Sequence, residues 1–325
     1  MTLTRRTLIG TAAAGLAAPW VARAQEYPSR NIDVIIPTRE GGGADRNFRA
    51  FTQVWEPKIG TQFEPGFFPG ASGRVGYEVY MGKREPDAYS LIFGNMGPEV
   101  LNWAMQPPSF DLEDYFYFGR VDTDPCCAFV GAESPMQSIE DIVAEGKKRT
   151  LTVGTSRMAH PASIGILALG EKTGAQFNLI PLSGGKNTVA GAVTGEVDFS
   201  VLTSGSVIAA GDAVKTVLVF GPNLVGAQLD DAPEINDAYG MDLPPMLSSR
   251  AFGIHTAAAE KHPDRLQTLQ ETFKATFEDP ALLEAYVAAR GTPEYLNYGG
   301  VEACAEFVNA MLELGARYRP LLTGA

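Results

Sequence analysis

The stretch YPSRNIDVIIPTREGGGAD, residues 27–45, combines a strand pattern, a glycine-rich loop and a helix start. Pro37 ends the strand, because proline lacks the N–H that a strand ladder needs. Gly41–Gly43 allow a close turn with positive φ, and Asp45 begins a segment with helical spacing of its aromatic residues. The apolar residues at every second position of the strand are Ile32, Val34 and Ile36. The order of these elements predicts an α/β fold.

A strand that feeds a glycine-rich loop and a helix N-terminus can bind an anion. The first N–H groups of such a helix lack partners, and the positive end of the helix dipole points the same way. The arrangement recurs later, where Leu151–Gly154 precede the loop Thr155–Ser163 and a predicted helix Ile164–Thr173. The recurrence strengthens the prediction of a ligand site.

The first 24 residues have the pattern of an export signal. Arg5 and Arg6 give a basic start, an apolar run follows over Leu8–Val21, and Ala22-Arg23-Ala24 resembles a cleavage site. The apolar run is too short to span a bilayer. The adjacent arginines resemble a twin-arginine signal, although a Sec signal can also contain two arginines. We predict a signal peptide over residues 1–24 and a periplasmic protein of the Gram-negative type.

Charge and composition exclude several classes of partner. The full chain has a formal charge of −12, and removal of residues 1–24, which hold three arginines and no acid, takes it to −15. A chain this acidic is poorly suited to nucleic acid or anionic membranes. No later segment is apolar enough to be a transmembrane helix. We therefore expect no nucleic-acid partner and no membrane anchor.

Cysteine and histidine indicate neither a disulfide framework nor a metal site. Cys126 and Cys127 are neighbours and Cys304 is distant, so their spacing fits no zinc motif. A strained vicinal disulfide and a bridge from Cys304 stay open, but three partly buried structural thiols are the simpler interpretation. With only three histidines in the chain, we expect no metal and no cofactor.

Short apolar strands alternate with helical stretches, which predicts mainly parallel sheets flanked by helices. A second set of strands and glycine turns starts at Leu151, and the tail from Pro263 to Tyr318 is predicted to be largely helical, with its apolar stripes facing a core. We place lobe 1 at residues 25–124 plus 228–325 and lobe 2 at 125–227. A ligand cleft should lie between them at the carboxyl ends of the strands. The two crossings would form a hinge, so that a ligand shifts an open–closed equilibrium.

Four motifs resemble those of the substrate-binding proteins of tripartite tricarboxylate transporters, the TctC or Bug family. Residues 27–45 resemble the family's opening strand and its P-x-x-G-G-x-x-D loop, and Pro69–Gly76 resembles its P-G-A-x-G-x-x-G turn. Pro86–Leu91 resembles P-D-G-Y-T-L with Ala88 in place of glycine, and Gly195–Asp198 resembles the G-x-[VI]-D that ends a family helix. The resemblance covers essentially the whole mature chain.

The resemblance implies a two-lobed periplasmic binding fold, similar to type II, that captures a small organic acid. Such a protein delivers the acid to a membrane permease with a large and a small subunit. It implies a binding protein and no enzyme, and we expect a monomer. In the family the ligand carboxylate is typically held by backbone N–H groups and waters from facing loops. Carried over by position, the predicted ligand-binding residues are Thr38, Arg39, Glu40, Gly41, Gly42, Gly43, Asp45, Asn95, Met96, Thr155, Ser156, Arg157, Met158, Ser183, Gly185, Lys186, Asn187, Thr203 and Ser204.

Several positions depart from the family pattern and point to a different ligand. The residues that replace the apolar or small residues of the family are Thr38, Arg39, Glu40, Arg157, Met158 and His160. Arg157 is the strongest candidate for ligand contact, because a guanidinium at a cleft loop can hold a carboxylate with two parallel hydrogen bonds. The alternative is a surface arginine that pairs with an acid across the lobes.

The other polar candidates are divided between ligand contact and structure. Arg39 could contact the ligand or solvent, and Glu40 could pair with Arg39 or meet an amine or hydroxyl of the ligand. Asp45 is interpreted mainly as a helix-start residue. His160 is interpreted as the end of an extended loop, with pH sensitivity as the alternative. Arg250 lies where the chain returns toward the first lobe and could line the cleft.

Two other classes of function remain as alternatives. A sensor adaptor would dock its closed form on a membrane receptor instead of a permease, and the sequence does not separate this role from transport. An enzyme could use Ser156, His160 and Asp198 as nucleophile, base and orienting acid. The chain has no nucleophile-elbow motif, however, and Asp198 is interpreted as structural.

Overall fold

The structure, a computed structural model, describes residues 27–323. The predicted signal peptide and its arginine pair therefore lie outside the described residues. Within that range the chain forms ten strands and twelve α-helices. The strands are β1 (Ile32–Ile36), β2 (Phe63–Phe67), β3 (Ser90–Asn95), β4 (Tyr115–Gly131), β5 (Leu151–Thr155), β6 (Phe177–Pro181), β7 (Phe199–Thr203), β8 (Val214–Val219), β9 (Leu247–His255) and β10 (Leu296–Gly299). The helices are α1 (Gly43–Ile59), α2 (Arg74–Lys83), α3 (Met96–Met105), α4 (Ile139–Gly146), α5 (Pro161–Thr173), α6 (Gly185–Thr194), α7 (Ser204–Ile208), α8 (Ile235–Tyr239), α9 (Thr256–Lys261), α10 (Pro263–Phe277), α11 (Ala281–Ala288) and α12 (Val301–Thr323).

The strands form two sheets that share one long strand, β4. In the first sheet β1 pairs in parallel with β2 and β3, and β9 joins β3 to β4 by antiparallel pairing. In the second sheet β5 pairs in parallel with β6 and β7, and β4 pairs antiparallel with β7 and β8. β10 pairs antiparallel with the first-sheet part of β4. The predicted α/β class is confirmed. Parallel pairing is confined to β2, β1 and β3 in the first sheet and to β7, β5 and β6 in the second.

The sequence pattern does not predict the first half of β4 or any of β9. It indicates a short strand only at Ala128–Val130, whereas β4 has 17 residues and β9 has 9. The buried charged residues in these strands interrupt the apolar alternation, and they are Asp122, Asp124 and Arg250. The predicted lobe boundary at residue 124 falls inside β4, and the division into lobes stays a prediction.

Helix α1 holds the first glycine loop against the first sheet. Its buried face carries Phe48, Phe51 and Trp55, and the ring centroids of Phe51 and Phe273 of α10 are 4.7 Å apart. The helix ends at Gly60, whose φ of 81° lies in the left-handed region that closes a helix. Because this burial fixes α1, the N-terminus of the helix stays at the carboxyl end of β1.

The apolar stripes of the C-terminal tail face the core, as the sequence predicts. Leu269 and Phe273 of α10 and Phe307 of α12 are buried. The other stripe residues pack partly buried on the same clusters, and they are Leu266, Phe277, Val301, Val308 and Leu312. The tail is interrupted by β10 between α11 and α12.

The cysteines Cys126, Cys127 and Cys304 are buried, unbridged thiols. In residues 27–323 no helix is both long and apolar enough to cross a membrane. Over the same residues, no three His, Cys, Asp or Glu side chains are grouped as metal ligands.

Candidate functional site

A cavity of about 480 Å³ lies between the carboxyl ends of the parallel strands of the two sheets. The segments that follow β1, β2 and β3 enter it from the first sheet, and the segments that follow β5, β6 and β7 face them from the second. Ligands of α/β folds bind at such a place, because helix N-termini and loop N–H groups converge there. The cavity is therefore the candidate ligand site.

The loop after β1 forms one wall of the cavity. Gly42 and Gly43 line it at the start of α1. Asp45 holds the loop by accepting the N–H of Gly41 at 2.7 Å, and it pairs with Nε of Arg49 at 2.6 Å. The structure thus places Asp45 in the first turn of α1 and outside the cavity lining.

The turn after β2, Pro69–Gly73, forms a second wall, and all five of its residues line the cavity. Gly73 has a φ of +100°, and a Cβ there would lie 2.8 Å from Cγ of Glu99. Only glycine fits this position without strain. The sequence marks the turn by its PGASG motif, but the motif alone does not assign the turn to the site.

The loops after β5 and β6 are tied to each other where they reach the cavity. The N–H of Leu182 donates to the carbonyl of Thr155 at 2.8 Å, and the N–H of Gly184 donates to the carbonyl of Ser156 at 3.1 Å. Lys186 follows in the first turn of α6 and lines the cavity. The two loops therefore form one continuous wall.

The two halves of the cavity meet at Gly43 and Ser206. A Cβ added to Gly43 would lie 3.0 Å from Oγ of Ser206, so a side chain there would require Ser206 to shift by a few tenths of an ångström. Gly43 opens α1 of the first half, and Ser206 lies in α7 of the second. The starts of α1 and α7 thus approach each other closely within the cavity lining.

Arg157 reaches across the cavity from the loop after β5. Its Nη1 donates to the carbonyl of Ser72 at 3.0 Å and lies 3.4 Å from Oε1 of Glu99. The Arg157 side chain is 13% exposed and that of Glu99 is 0% exposed, so the pair is shielded from bulk water. The structure therefore shows the cross-cavity pairing with an acid, and contact with a ligand stays a prediction.

Glu99 is a buried carboxylate beside the cavity that the sequence pattern does not indicate. Its Oε2 accepts the N–H of Asn95 at 2.7 Å and the hydroxyl of Tyr77 at 2.9 Å. The hydroxyl of Tyr77 in turn contacts that of Tyr117. Burial raises the pKa of Glu99, and the nearby Arg157 lowers it. The net pKa of this carboxylate is raised, because burial outweighs both Arg157 from the opposite wall and the hydrogen bonds from Tyr77 and Asn95.

Arg250 lines the cavity but belongs to a buried charge cluster. Its Nε lies 2.6 and 2.8 Å from the two carboxylate oxygens of Asp122, and its Nη2 lies 3.3 Å from Oδ1 of Asp124. Asp124 also accepts the N–H of Gly205 at 3.2 Å. Burial raises the pKa of Asp124 to about 6, and Arg250 opposes the rise. The cluster joins β9, β4 and α7 at the junction of the sheets.

The cavity lining carries more positive than negative side chains. Its residues with full charges are Arg39, Glu40, Arg157, Lys186 and Arg250. Glu40 pairs with Arg49 at 3.3 Å. The predicted pairing of Glu40 with Arg39 is therefore wrong, and its contact with a ligand amine or hydroxyl stays a prediction. Among the described residues, Arg39 and Lys186 have no ion-pair partner. Arg157 and Arg250 are paired with buried acids, so the charges that favour an anionic ligand are those of Arg39 and Lys186.

Most of the predicted ligand-binding residues line the cavity, and these are Thr38, Arg39, Glu40, Gly42, Gly43, Asn95, Ser156, Arg157, Met158, Ser183, Gly185, Lys186, Asn187 and Thr203. The predicted residues outside the lining are Gly41, Asp45, Met96, Thr155 and Ser204. Met96 and Thr155 are fully buried, and Ser204 donates to the hydroxyl of Tyr295 at 2.9 Å. Ser248 also lines the cavity, and the sequence does not mark it, because the local pattern does not indicate strand β9. Ligand contact stays a prediction throughout.

The residues considered for catalysis do not form a triad. Nδ1 of His160 accepts the N–H of Ala162 at 3.1 Å and caps α5. Asp198 accepts the N–H of Thr152 at 2.7 Å and pairs with Arg149 at 2.8 Å. Burial lowers the pKa of His160 to about 3, so the ring is neutral near pH 7. This argues against the pH-sensitive alternative for His160.

The fold and the cavity define a class of protein in which two α/β halves enclose a small solute. Residues 68–297 match the family described as "Tripartite tricarboxylate transporter family receptor", TctC, and the chain therefore belongs to that family. Its relative BugT of Bordetella pertussis is 23% identical over 290 residues, which cover 87% of this chain and 86% of that protein.

Solved structures share the fold. Rpa4515 of R. palustris with adipate has a TM-score of 0.79 and 17% identity, and the match covers 92% of this chain and 99% of that one. MatC of Rhodopseudomonas palustris with bound malate has a TM-score of 0.74 and 15% identity, with 91% and 100% covered. These neighbours confirm the predicted two-lobed periplasmic binding fold.

Proposed function

We propose that the protein is a periplasmic binding protein that captures a small organic acid between its lobes and delivers it to a tripartite tricarboxylate-type permease. The observation that carries the proposal is the cavity lining, in which Arg39 and Lys186 have no ion-pair partner among the described residues. Basic side chains and convergent loop N–H groups stabilise a carboxylate. Family membership and the neighbours with adipate and malate support this ligand class.

The proposal includes export and closure. Residues 1–24 direct export by the twin-arginine or the Sec route. Residues 25–124 with 228–325 form one lobe, residues 125–227 form the other, and the two close on the acid. The closed monomer is then the form that the large and small permease subunits recognise, as membership of a transporter family supports.

A thermal-shift screen of residues 25–325 tests the ligand class. The panel contains adipate, malate, other dicarboxylates, amino acids and aromatic carboxylates. An acid at about 100 times its Kd adds about 2.7 kcal/mol to the free energy of unfolding, which raises Tm by several degrees. We expect an organic acid to do so and to be recovered unchanged. A cooperative transition that no acid shifts would contradict the proposal, and so would conversion of the acid to a product.

A further inference from the structure

Glu99 and Arg157 form a shielded ion pair between the two halves of the protein. Glu99 lies in the first turn of α3, beyond β3 of the first sheet, and Arg157 lies between β5 and α5 of the second sheet. The two residues are 58 positions apart in the chain. Because each is attached to a different sheet, a rotation of one lobe away from the other separates them.

The ionised form of Glu99 depends on Arg157 for its stability. Its other partners are neutral donors, namely the N–H and side-chain amide of Asn95 and the hydroxyl of Tyr77. Gly73 packs closely on its side chain and leaves little room for solvent. In the part of the chain that the structure describes, Arg157 is its one ion-pair partner. A buried carboxylate that loses its counter-charge is costly and favours the protonated form.

One edge of the Arg157 guanidinium makes no hydrogen bond to the described residues and can bind a further partner. Its hydrogen bonds to Ser72 and Glu99 both use Nη1. Within residues 27–323 the Nε and Nη2 donors have no partner, and the residue lines the cavity. Nε and Nη2 form the edge that can hold a carboxylate with two parallel hydrogen bonds. A ligand carboxylate there would place the cation between two carboxylates.

Resting on the proposed function, we infer that Glu99 is a positioning residue that holds Arg157 across the cavity for the ligand and gives up a proton when the lobes close. The O–H bond of the Glu99 carboxyl breaks, its electron pair stays on the oxygen, and the proton goes to solvent as Nη1 of Arg157 arrives. Glu99 therefore acts through Arg157 and does not touch the ligand.

The direction of the pH dependence follows from the two states. Burial raises the pKa of Glu99 and Arg157 lowers it, so the pKa is higher in the open form than in the closed form. Between these two values closure releases a proton, and the affinity for the acid rises with pH. Below both values Glu99 is protonated in either form, and above both it is ionised in either form. Outside this range Glu99 adds no pH dependence.

Other titratable groups that face the pair stay neutral in this range. Burial raises the pKa of Tyr77, Tyr115 and Tyr117, and it lowers the pKa of His160 to about 3. Asp124, in the cluster with Arg250, has a pKa raised to about 6 by burial. Asp124 therefore titrates within the pH series, and the Asp124→Asn variant separates its protons from those of Glu99.

Calorimetric titration with adipate and with malate, in two buffers of different ionisation enthalpy, measures the protons released on binding. We expect the wild type to release up to about one proton per bound acid within one interval of a pH series, with affinity rising by up to about tenfold per pH unit in that interval. Glu99→Gln should release fewer protons and have a flatter affinity profile. It should bind about tenfold more weakly at pH 8, because Arg157 loses a charged partner.

Two further variants make the result specific. Asp124→Asn should retain the proton release, since the Glu99–Arg157 pair stays in place. Arg157→Met should abolish it, because Glu99 then keeps its proton in both forms, and this variant serves if Glu99→Gln does not fold. A wild type that binds acid without releasing protons, or equal release by Glu99→Gln, overturns the inference and leaves the proposed function intact. A wild type that binds no acid of the panel overturns both.

Discussion

Arg157 connects both walls of the cavity and retains donors for a ligand. Arg157→Ala should weaken binding of the acid by about tenfold or more, since a charged hydrogen bond contributes about 1.5–3 kcal/mol. Calorimetric titration measures the change. Arg319→Ala, which removes the same charge from an exposed position of α12, is the control. Equal affinity of wild type and Arg157→Ala would remove Arg157 from the site.

His160 links acidity to folding and not to ligand binding. Burial lowers its pKa to about 3, against about 6.5 in an unfolded chain, so the unfolded state binds the proton more strongly. Its contribution to stability is complete above about pH 6.5 and is lost as the pH falls, by about 2 kcal/mol at pH 5. His160→Asn keeps a capping acceptor and should lose less stability between pH 7 and 5 in urea unfolding. Parallel losses in the two proteins would contradict this role.

At the residue scale, a side chain that departs from an expected sequence pattern can be recognised from the sequence. A side chain whose role comes from burial in the folded protein cannot. Arg157 stands out because it occupies a loop where small residues are expected, and the structure places it in the cavity lining. Glu99 gives no such signal, since a glutamate in the first turn of a helix is ordinary. Its burial arises from Gly73 and Tyr77, which only the folded chain brings to it.

At the scale of elements, the start of α1 depends on the carboxylate of Asp45. Asp45→Ala removes the acceptor for the N–H of Gly41 and the partner of Arg49. The free energy of unfolding should fall by about 1–2 kcal/mol. Acid binding should weaken less than in Arg157→Ala, because Asp45 acts through the loop. Asp45→Asn keeps an oxygen acceptor and should recover most of the stability in urea unfolding. If it recovers none, the Gly41 hydrogen bond is not the cause.

Some strands can be predicted from the local sequence, and others cannot. β1, β3, β5 and β7 are short apolar strands followed by glycine- or serine-containing loops, so local pattern suffices. The first half of β4 and all of β9 depend on each other, because they pair over more than a hundred intervening residues. The charged residues of these strands are stable in the protein interior only because they pair with each other, as Arg250 of β9 does with Asp122 of β4. The sequence of either strand alone does not show this pairing.

At the scale of the whole molecule, the buried cluster around Arg250 joins the two sheets. Arg250→Met leaves Asp122 and Asp124 without their cation and should cost about 3–5 kcal/mol of stability. The Arg30–Asp87 pair provides the comparison, since the Arg30 side chain is 57% exposed. Arg30→Met should cost about 1 kcal/mol or less. Urea unfolding measures both, and similar small losses would show that the cluster is not a main source of stability.

The shared strand β4 and strand β9, which comes late in the sequence, also determine the order in which the two sheets can form during synthesis. The second sheet draws all its strands from residues 115–219, whereas the first sheet needs residues 247–255 between β3 and β4. A chain that leaves the ribosome from its N-terminus can complete the second sheet while the first still lacks a central strand. The half that begins the chain is therefore finished last. Synthesis that stalls before residue 247 would leave the edges of β3 and β4 exposed to pairing with other chains.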